Sequence, residues 1–321
     1  MGRYFLRRLV LYIPVALLVT ILVFALADLA PGDPSDWLYS PELNMTYDEI
    51  QAIKESMGLN QSPVTRYVQW LGQAVRGNLG YRLKNNDPVG PLIMTRLKRT
   101  LILGGVATAF GIIVGLSLGI YTALHQYSWF DHLASVLAFL GISMPAFFVG
   151  ILGLYIFGLK LEWFPIGGIT TAGGDPNDVG DFLYHLILPA ALLSSNHVAG
   201  YFRYMRMSML EVLHADYLTT ARAKGMRERV VILSHALRNA MLPVVTIIGL
   251  SIPGLFSGAL FIETIFTWPG MGMLFIDGVN SRDYPLIMGV TLVMTIVILL
   301  ANLITDMAYS LVDPRIHLEA N

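Results

Sequence analysis

The sequence predicts an all-α integral membrane protein with six transmembrane helices and a small external subdomain after the first helix. Of its 321 residues, 55% are hydrophobic and only 13% are charged, which is too apolar for an ordinary soluble domain of this length. Six stretches lack Asp, Glu, Lys and Arg, and each is close to the roughly 20 residues that a helix needs to cross the hydrocarbon core. They are residues 9–27, 100–124, 133–159, 182–202, 239–262 and 284–305.

The charge distribution predicts the orientation of these spans. Three arginines within the first eight residues precede the first span, which favours a cytoplasmic N-terminus. Six spans then return the C-terminal tail, residues 313–321, to the cytoplasm. Residues 203–242 carry seven basic against three acidic side chains and fall on the cytoplasmic side, whereas residues 162–181 carry only acids and fall outside. The basic cluster at 96–99 is an exception, which we accept because long loops follow this rule poorly.

Residues 1–28 are interpreted as the cytoplasmic N-terminus and first span. A secretory signal peptide is the alternative, but the apolar run is longer than a usual signal core and Ala27-Asp28-Leu29-Ala30 is a weak cleavage site. Residues 29–99 are expected to form the external subdomain. In it, Pro31-Gly32-Asp33-Pro34 breaks the first helix, and two helices follow, one capped near Thr46 and stopped by Gly58 and the other at 63–75.

Residues 100–312 are expected to form the transmembrane core. Proline and glycine interrupt three spans, at 143–145, 188–189 and 253–254. Such breaks are tolerated where neighbouring helices or cavity water satisfy the freed backbone groups, so they indicate the interior of a bundle. Small residues in the second span allow close approach of another helix; they are Gly104, Gly105, Ala107, Gly111, Gly115 and Gly119.

Within the cytoplasmic segment 203–242, the pattern predicts two short helices separated by a glycine. Asp216 is the predicted cap of the first helix, and Gly225 supplies the left-handed residue that ends it. The second helix, from about 227 to 240, leads into the fifth span. Small side chains at Ala221 and Ala223, flanked by cations, suit a helix that enters a groove on another protein. The alternative is a basic loop that rests on anionic lipid headgroups.

Polar residues within the spans are candidates for a translocation pathway. His197 lies among serines and an asparagine in the fourth span, and interhelical packing is its alternative role. Glu263 follows the fifth span, where it is expected to reach water, and its alternative is loop structure. The full set of pathway candidates is Ser143, Ser194, Asn196, His197, Ser251, Ser257 and Glu263.

The sequence contains no catalytic constellation. Neither a Gly-x-Gly-x-x-Gly string nor a Walker-type Gly-x-x-x-x-Gly-Lys-Ser/Thr string occurs, so the chain has no sequence basis for binding nucleotide. The absence of cysteine removes thiolate catalysis, disulfides and Cys-ligated metals, and no two histidines form a His-x-x-x-His pair. We therefore predict no enzyme activity, no bound cofactor or metal and no nucleic-acid partner. Energy for transport must come from a partner.

The cytoplasmic motif resembles a known family. Thr219-Thr-Ala-Arg-Ala-Lys-Gly225 is similar to the Glu-Ala-Ala-x-x-x-Gly loop of ABC importer permeases, in the variant of the dipeptide, oligopeptide and nickel group. Thr219 and Thr220 replace Glu and the first Ala, and Arg238 stands where the general motif has proline. The other matching segments are Pro31-Gly-Asp-Pro34, Asp216-Tyr217, His235-Ala-Leu-Arg-Asn-Ala240, Glu263-Thr-Ile-Phe-Thr-Trp-Pro-Gly-Met-Gly272, Arg282-Asp-Tyr-Pro285 and Asp313-Pro-Arg-Ile316.

This resemblance implies a type I ABC importer-like bundle of the first permease type of peptide transport systems, in the bacterial plasma (inner) membrane. It implies import of di- or oligopeptides, with a nickel complex or another small solute as the alternative cargo. The implied partners are a second homologous permease, two cytoplasmic ATPase subunits that bind ATP and Mg, and an external solute-binding protein. The implied ATPase-coupling residues are Asp216, Tyr217, Thr220, Ala221, Arg222, Ala223, Lys224, Gly225, His235, Arg238 and Asn239.

Three other classes compete with this interpretation. An ion-coupled secondary transporter predicts paired intramembrane carboxylates or an inverted repeat, and the sequence shows neither. A membrane-embedded protease needs Gly-x-Ser-x-Gly-like or paired-Asp chemistry within spans, and these spans contain no acid. A membrane scaffold is compatible with the composition but leaves the cytoplasmic segment unexplained.

Overall fold

The computed structural model describes residues 2–29, 46–56, 60–175, 177–251, 254 and 259–312, and in these parts of the chain the regular structure is helical. The helices are α1 (Gly2–Leu29), α2 (Tyr47–Ser56), α3 (Pro63–Val75), α4 (Val89–Leu124), α5 (Trp129–Ser143), α6 (Ala146–Gly153), α7 (Val179–Leu213), α8 (Asp216–Ala223), α9 (Glu228–Val230), α10 (Leu237–Ser251), α11 (Ala259–Ile265), α12 (Met271–Ser281) and α13 (Tyr284–Val312). Two π-helical segments, Leu154–Lys160 and Val231–Ala236, follow α6 and α9.

The all-helical membrane fold is confirmed, although the helices do not reproduce six uniform spans. Four described helical stretches are long and apolar enough to cross a membrane: Arg8–Leu29, Val89–Leu124, Glu228–Ser251 and Tyr284–Met307. The third predicted span is instead a pair of helices, Trp129–Ser143 and Ala146–Lys160, bent by 111°. The bend follows from Pro145, which has no backbone N–H to continue α5.

The fourth and fifth predicted spans also differ from simple helices. The fourth lies within α7, which has 35 residues but is not among the helices apolar enough to pass as a span; its serines, asparagine and histidines lower its hydropathy. The described parts of the fifth lie in α10 and α11. Several sequence features lie outside the described residues: the segment 31–34, Gly58, Pro253, Ser257 and the segment 313–316.

The chain packs as two compact units, and the first comprises residues 1–99 and 270–300. The two short helices predicted after the first span are confirmed. Thr46 and Glu49 exchange hydrogen bonds at the start of α2, which is a capping box, and α3 has the predicted bounds. The core of this unit is built by apolar side chains of α4, α12 and α13: Val89, Ile93, Leu97, Met271, Leu274, Leu286 and Val290.

Two ion pairs of Arg82 hold the loop before α4 in the first unit. Arg82 donates to Asp277 across 2.8 Å and to Asp283 across 3.1 Å. Asp283 is 1% exposed. Burial raises the pKa of Asp283, while the hydrogen bond from Arg82 acts in the opposite direction.

The second unit comprises residues 100–269 and 301–321, and α7 packs against several of its helices. Glycines of α4 bring its backbone close to α7, as the sequence predicted. A Cβ at Gly111 would come within 2.6 Å of His197, and a Cβ at Gly115 within 2.8 Å of the Val198 carbonyl oxygen. By contrast, a Cβ at Gly105 would meet nothing within 4 Å. The predicted close approach is therefore confirmed for the later glycines and does not extend to Gly105.

A partly buried ion pair joins α5 to α7 in the same unit. The Arg206 guanidinium donates to both carboxylate oxygens of Asp131, across 2.7 and 2.8 Å. Asp131 is 2% exposed. This bidentate contact fixes α7 against the first turn of α5.

Candidate functional site

Helix α8 lies on a small apolar core that also includes side chains of α7 and α10. Leu218 is fully buried and Ala221 is 8% exposed, and both pack in a cluster with Met205, Met209, Val231, Ala236, Ala240 and Val244. The expectation that Ala221 is presented to a partner is therefore wrong. Ala221 lies one turn after Leu218, so both side chains point inward.

The start of α8 also differs from the prediction. Ala215, with φ −75° and ψ 139°, occupies the cap position and makes no side-chain cap bond. Asp216 is already the first helical residue, so its prediction as the cap is wrong. Its carboxylate still lies in the first turn, where negative charge interacts favourably with the helix dipole.

The end of α8 is as the sequence predicted. Gly225 has φ +74°, a left-handed conformation that costs other residues about 1–2 kcal/mol. Its N–H donates to the Arg222 carbonyl across 2.9 Å, and the Met226 N–H points at the Ala221 carbonyl. These bonds satisfy the last carbonyls of the helix. Gly225 thus ends α8 and turns the chain toward α9.

The outward face of α8 is polar. Tyr217, Thr219 and Thr220 are exposed, and so are Arg222, Ala223 and Lys224. Arg222 donates to both carboxylate oxygens of Glu228, with its shortest contact 2.9 Å, and this contact raises the pKa of Arg222. The ion pair is exposed, so its contribution to stability is small, but it links α8 to α9.

Side-chain hydrogen bonds tie α8 to the neighbouring helices. The Asn239 amide donates to the Tyr217 hydroxyl across 3.1 Å and to the His235 carbonyl across 2.8 Å. Ser208 of α7 donates to the Ala240 carbonyl of α10 across 2.8 Å. Sequence reasoning missed Ser208, because nothing in its neighbourhood distinguishes it from an ordinary helix serine. Together these bonds join α7, α8 and the base of α10 into one body.

The helix predicted from about residue 227 to 240 exists and is continuous with the start of the fifth predicted span. Glu228–Ser251 is helical without interruption, although Val231–Ala236 adopts π-helical geometry. His235 is half-buried, while Arg238 and Asn239 are exposed. Helix α8 is therefore hydrogen-bonded to the base of a helix that is long enough to cross the bilayer.

The predicted pathway residues do not form one site. Glu263 is fully buried and accepts a hydrogen bond from the Thr100 hydroxyl across 2.6 Å; the expectation that it reaches water is wrong, because the packing around α11 encloses it. Ser194 is also fully buried and donates to the Ala191 carbonyl of its own helix. Ser143 and Asn196 are exposed.

Two pathway candidates are connected through a residue that the sequence analysis missed. The His197 ring stacks on Tyr201 with centroids 6.1 Å apart, and the Tyr201 hydroxyl is hydrogen-bonded to Ser251. The signal was present in the spacing, since Tyr201 follows His197 by one helical turn. The contact joins α7 to the end of α10.

Comparisons with known proteins decide the family. Residues 115–318 match the family described as the inner membrane component of binding-protein-dependent transport systems, and residues 1–104 match the N-terminal family of the same membrane component. The chain belongs to this family. It is a membrane permease component of an ABC transport system, and a permease of this family is not itself the catalytic subunit.

Curated relatives resemble the permease over almost its whole length. A protein of Brucella suis biovar 1, named provisionally as a peptide permease, is 49% identical over 317 residues, 98% of this chain and 99% of that protein. The oligopeptide transport system permease protein AppB of Bacillus subtilis is 41% identical over 317 residues, with the same coverage. The dipeptide transport system permease protein DppB of Escherichia coli is 38% identical over 337 residues, 98% and 99% of the two chains.

A solved structure supports the fold of the permease. The crystal structure of an amino acid ABC transporter with histidines aligns with a TM-score of 0.50 at 16% identity, covering 70% of this chain and 94% of that one. At this identity the likeness concerns the fold alone. Within the described residues the permease has no group of His, Asp and Glu side chains arranged to hold a metal ion.

Proposed function

We propose that this permease is the transmembrane subunit of an ATP-driven importer that carries di- or oligopeptides into the cell, and that α8 is the element on which a cytoplasmic ATPase subunit acts. The observation that carries the proposal is the structure of α8. One face of the helix is polar and exposed, the other packs on α7 and α10, and Gly225 ends the helix. The names of the near-full-length relatives support a peptide cargo.

The proposed coupling role rests on the contacts that connect the exposed face of α8 to α7 and α10. A partner that binds Thr219, Thr220 and Ala223 holds an exposed helix face. Because Leu218 is fully buried in the shared core and Asn239 bonds to Tyr217, α8 cannot move without α7 and α10. ATP and Mg are bound by the partner ATPases, whose closure moves this body and rocks the spans that line the pathway.

The structure favours some pathway candidates over others. Ser143 and Asn196 are exposed, so their polar groups are available to a peptide. Ser194 and Glu263 are enclosed, and we assign both to packing within the bundle. His197 and Ser251 are joined through Tyr201, and we assign this chain of contacts to positioning α7 against α10 near the pathway.

The proposal includes the complete assembly and its orientation. A second homologous permease completes the pathway, two ATPase subunits bind the cytoplasmic face, and an external solute-binding protein delivers the peptide. Both termini and residues 203–242 face the cytoplasm, and residues 162–181 face outside. The host membrane is a bacterial plasma membrane, in which the permease is a multi-pass protein.

Reconstitution tests this function. The permease, its second permease and its ATPases are placed in proteoliposomes with the solute-binding protein outside, and uptake of radiolabelled di- and oligopeptides is measured. We expect uptake that requires both ATP and the binding protein. Uptake driven by a proton gradient without ATP would contradict the proposal. Uptake of a nickel complex with no peptide uptake would contradict the assigned cargo while leaving the ATP-driven class intact.

A further inference from the structure

The first packing unit contains a cleft of about 700 Å³ whose lining includes none of the candidate coupling or pathway residues. Its lining comes from α1, α3, α13 and the loop that follows α3. The lining includes apolar side chains, among them Phe24, Val68 and Met288, as well as the polar Gln73 and the cationic Arg76. The cleft is therefore amphipathic.

The cleft lies where two membrane-crossing helices reach the membrane surface. Phe24 belongs to the last turns of α1, and Tyr284 begins α13; both helices are apolar and long enough to span the bilayer. The Tyr284 hydroxyl donates to the Ala27 carbonyl across 3.2 Å, which joins the two helix ends. Aromatic and cationic side chains at such a position meet the headgroup region of a bilayer.

Helix α3 presents an apolar stripe beside this cleft. Val64, Val68 and Val75 are 72%, 59% and 81% exposed. Their spacing of four and seven residues puts them on one face of the helix. A surface helix with an exposed valine face is expected to rest on the membrane, so lipid is the molecule that is in place to enter the cleft.

Two enclosed N–H groups of cleft residues have no acceptor in the described part of the chain. They are Nε of Arg66 and Nε1 of Trp70. The Arg66 guanidinium lies 5.6 Å from the Phe24 ring and 5.7 Å from the Tyr284 ring, and its Nη2 donates to Asp28. Since Asp28 neutralises Arg66, these unused groups call for an additional acceptor atom and not for another cation.

Arg76 gives the cleft its positive charge. Its side chain is exposed at the end of α3 and has no hydrogen bond or ion pair with any described residue. An unpaired guanidinium beside enclosed N–H donors is matched to a phosphate group, which supplies both the negative charge and several acceptor oxygens.

We propose that this cleft binds a phospholipid of the leaflet that meets these ends of α1 and α13. The headgroup phosphate accepts from Arg76 and from the enclosed N–H groups, and the glycerol and upper acyl chain contact Phe24 and Met288. An anionic lipid is preferred over a zwitterionic one, because the site carries one uncompensated positive charge.

Lipid retention by the purified transport complex tests the proposal. The complex is delipidated in detergent, titrated with phosphatidylglycerol, and bound lipid is counted by native mass spectrometry. We expect Arg76→Gln and Trp70→Phe each to lower phosphatidylglycerol occupancy at least fivefold. Lys84→Gln is the matched control, because Lys84 is an exposed cation of the same unit outside the cleft lining, and it should retain wild-type occupancy.

Further measurements keep the test decisive if a variant assembles poorly. The fluorescence of Trp70 is obtained by subtracting the Trp70→Phe spectrum from the wild-type spectrum. Phosphatidylglycerol with brominated acyl chains should quench this Trp70 fluorescence. Equal lipid occupancy in wild type, Arg76→Gln and Trp70→Phe would overturn the proposal. Displacement of the lipid by millimolar inorganic phosphate would also overturn it in favour of a free-anion site. Displacement by the solute-binding protein would overturn it in favour of a protein contact.

Discussion

The Asn239 side-chain amide donates a hydrogen bond to the Tyr217 hydroxyl across 3.1 Å. The two residues belong to different helices: Tyr217 lies in the first turn of α8, and Asn239 lies in the first turn of α10. Helices α8 and α10 contact each other at this point. Leu218 and Ala240 form the buried side of the contact, and the hydrogen bond lies on its exposed side. It therefore connects the exposed face of α8, where we propose that an ATPase subunit binds, to a helix that is long enough to cross the membrane.

A double-mutant cycle measures this coupling. Tyr217→Phe and Asn239→Ala each remove the bond, and each should reduce peptide-stimulated ATPase activity of the reconstituted transporter. The double variant should be no worse than the poorer single variant, with an interaction free energy of about 0.5–1.5 kcal/mol. Strictly additive losses would mean that the two residues act independently.

Replacement of Gly225 tests whether the geometry at the end of α8 matters for transport. Gly225→Val forces a β-branched residue to φ +74°, which costs about 1–2 kcal/mol, although nothing lies within 4 Å of the new Cβ. We expect normal membrane insertion but clearly lower peptide uptake and peptide-stimulated ATPase activity. Gly225→Asn should retain most activity, since Asn tolerates this conformation.

Gly77 provides the matched control for this strain. It has φ +83° and open space around it, but it lies in the loop after α3. Gly77→Val should therefore carry similar backbone strain with little effect on ATPase stimulation. Equal losses for Gly77→Val and Gly225→Val would show that strain alone, and not its position in α8, lowers activity.

The sequence specified the local structure of this fold better than its packing. The helical spacing of apolar residues after Pro63 predicted α3 with its observed bounds, and Gly225 predicted the end of α8, because both signals are local in the chain. The bend at Pro145 was predicted as an interruption, but its 111° angle depends on tertiary packing. The direction of Ala221 could not be read from composition, since a small residue fits a buried or an exposed face equally well.

Packing of α4 on α7 gives a test of the helix bundle. A Cβ at Gly115 would lie only 2.8 Å from the Val198 carbonyl oxygen and 2.9 Å from the Tyr201 Cβ, so Gly115→Val places side-chain atoms in space that is already filled. Overpacking of this kind costs about 1–3 kcal/mol, so the melting temperature of the detergent-solubilised permease should fall. Gly105→Val, where the Cβ meets nothing within 4 Å, should leave the melting temperature nearly unchanged. A similar loss at both positions would contradict the close approach of α4 and α7.

The predicted orientation can be tested with single cysteines, because the chain has none of its own. Ala172→Cys and Ala223→Cys both introduce the thiol at an exposed position. In intact cells, a membrane-impermeant maleimide should label Ala172→Cys and should label Ala223→Cys only after the membrane is permeabilised. The reverse pattern would invert the proposed topology.

The site was harder to predict than the fold. Glu263 follows an apolar run, so the sequence placed it near water. In the structure it is fully buried and accepts a hydrogen bond from Thr100, which lies 163 positions earlier in the chain. Tyr201 links His197 to Ser251 through contacts between α7 and α10, which no single-sequence pattern reveals. Contacts between distant segments decide both cases, and sequence periodicity reports only the face of each helix.

The contact between α8 and an ATPase subunit is the central claim, and cross-linking measures it directly. Thr219→Cys puts a unique thiol on the exposed face of α8, where a short heterobifunctional reagent with a photoreactive arm can capture a neighbouring chain in the assembled transporter. We predict a covalent product that contains the permease and an ATPase subunit, with no such product from Ala172→Cys. Absence of the ATPase from the Thr219→Cys product, in a complex that still contains it, would contradict the account.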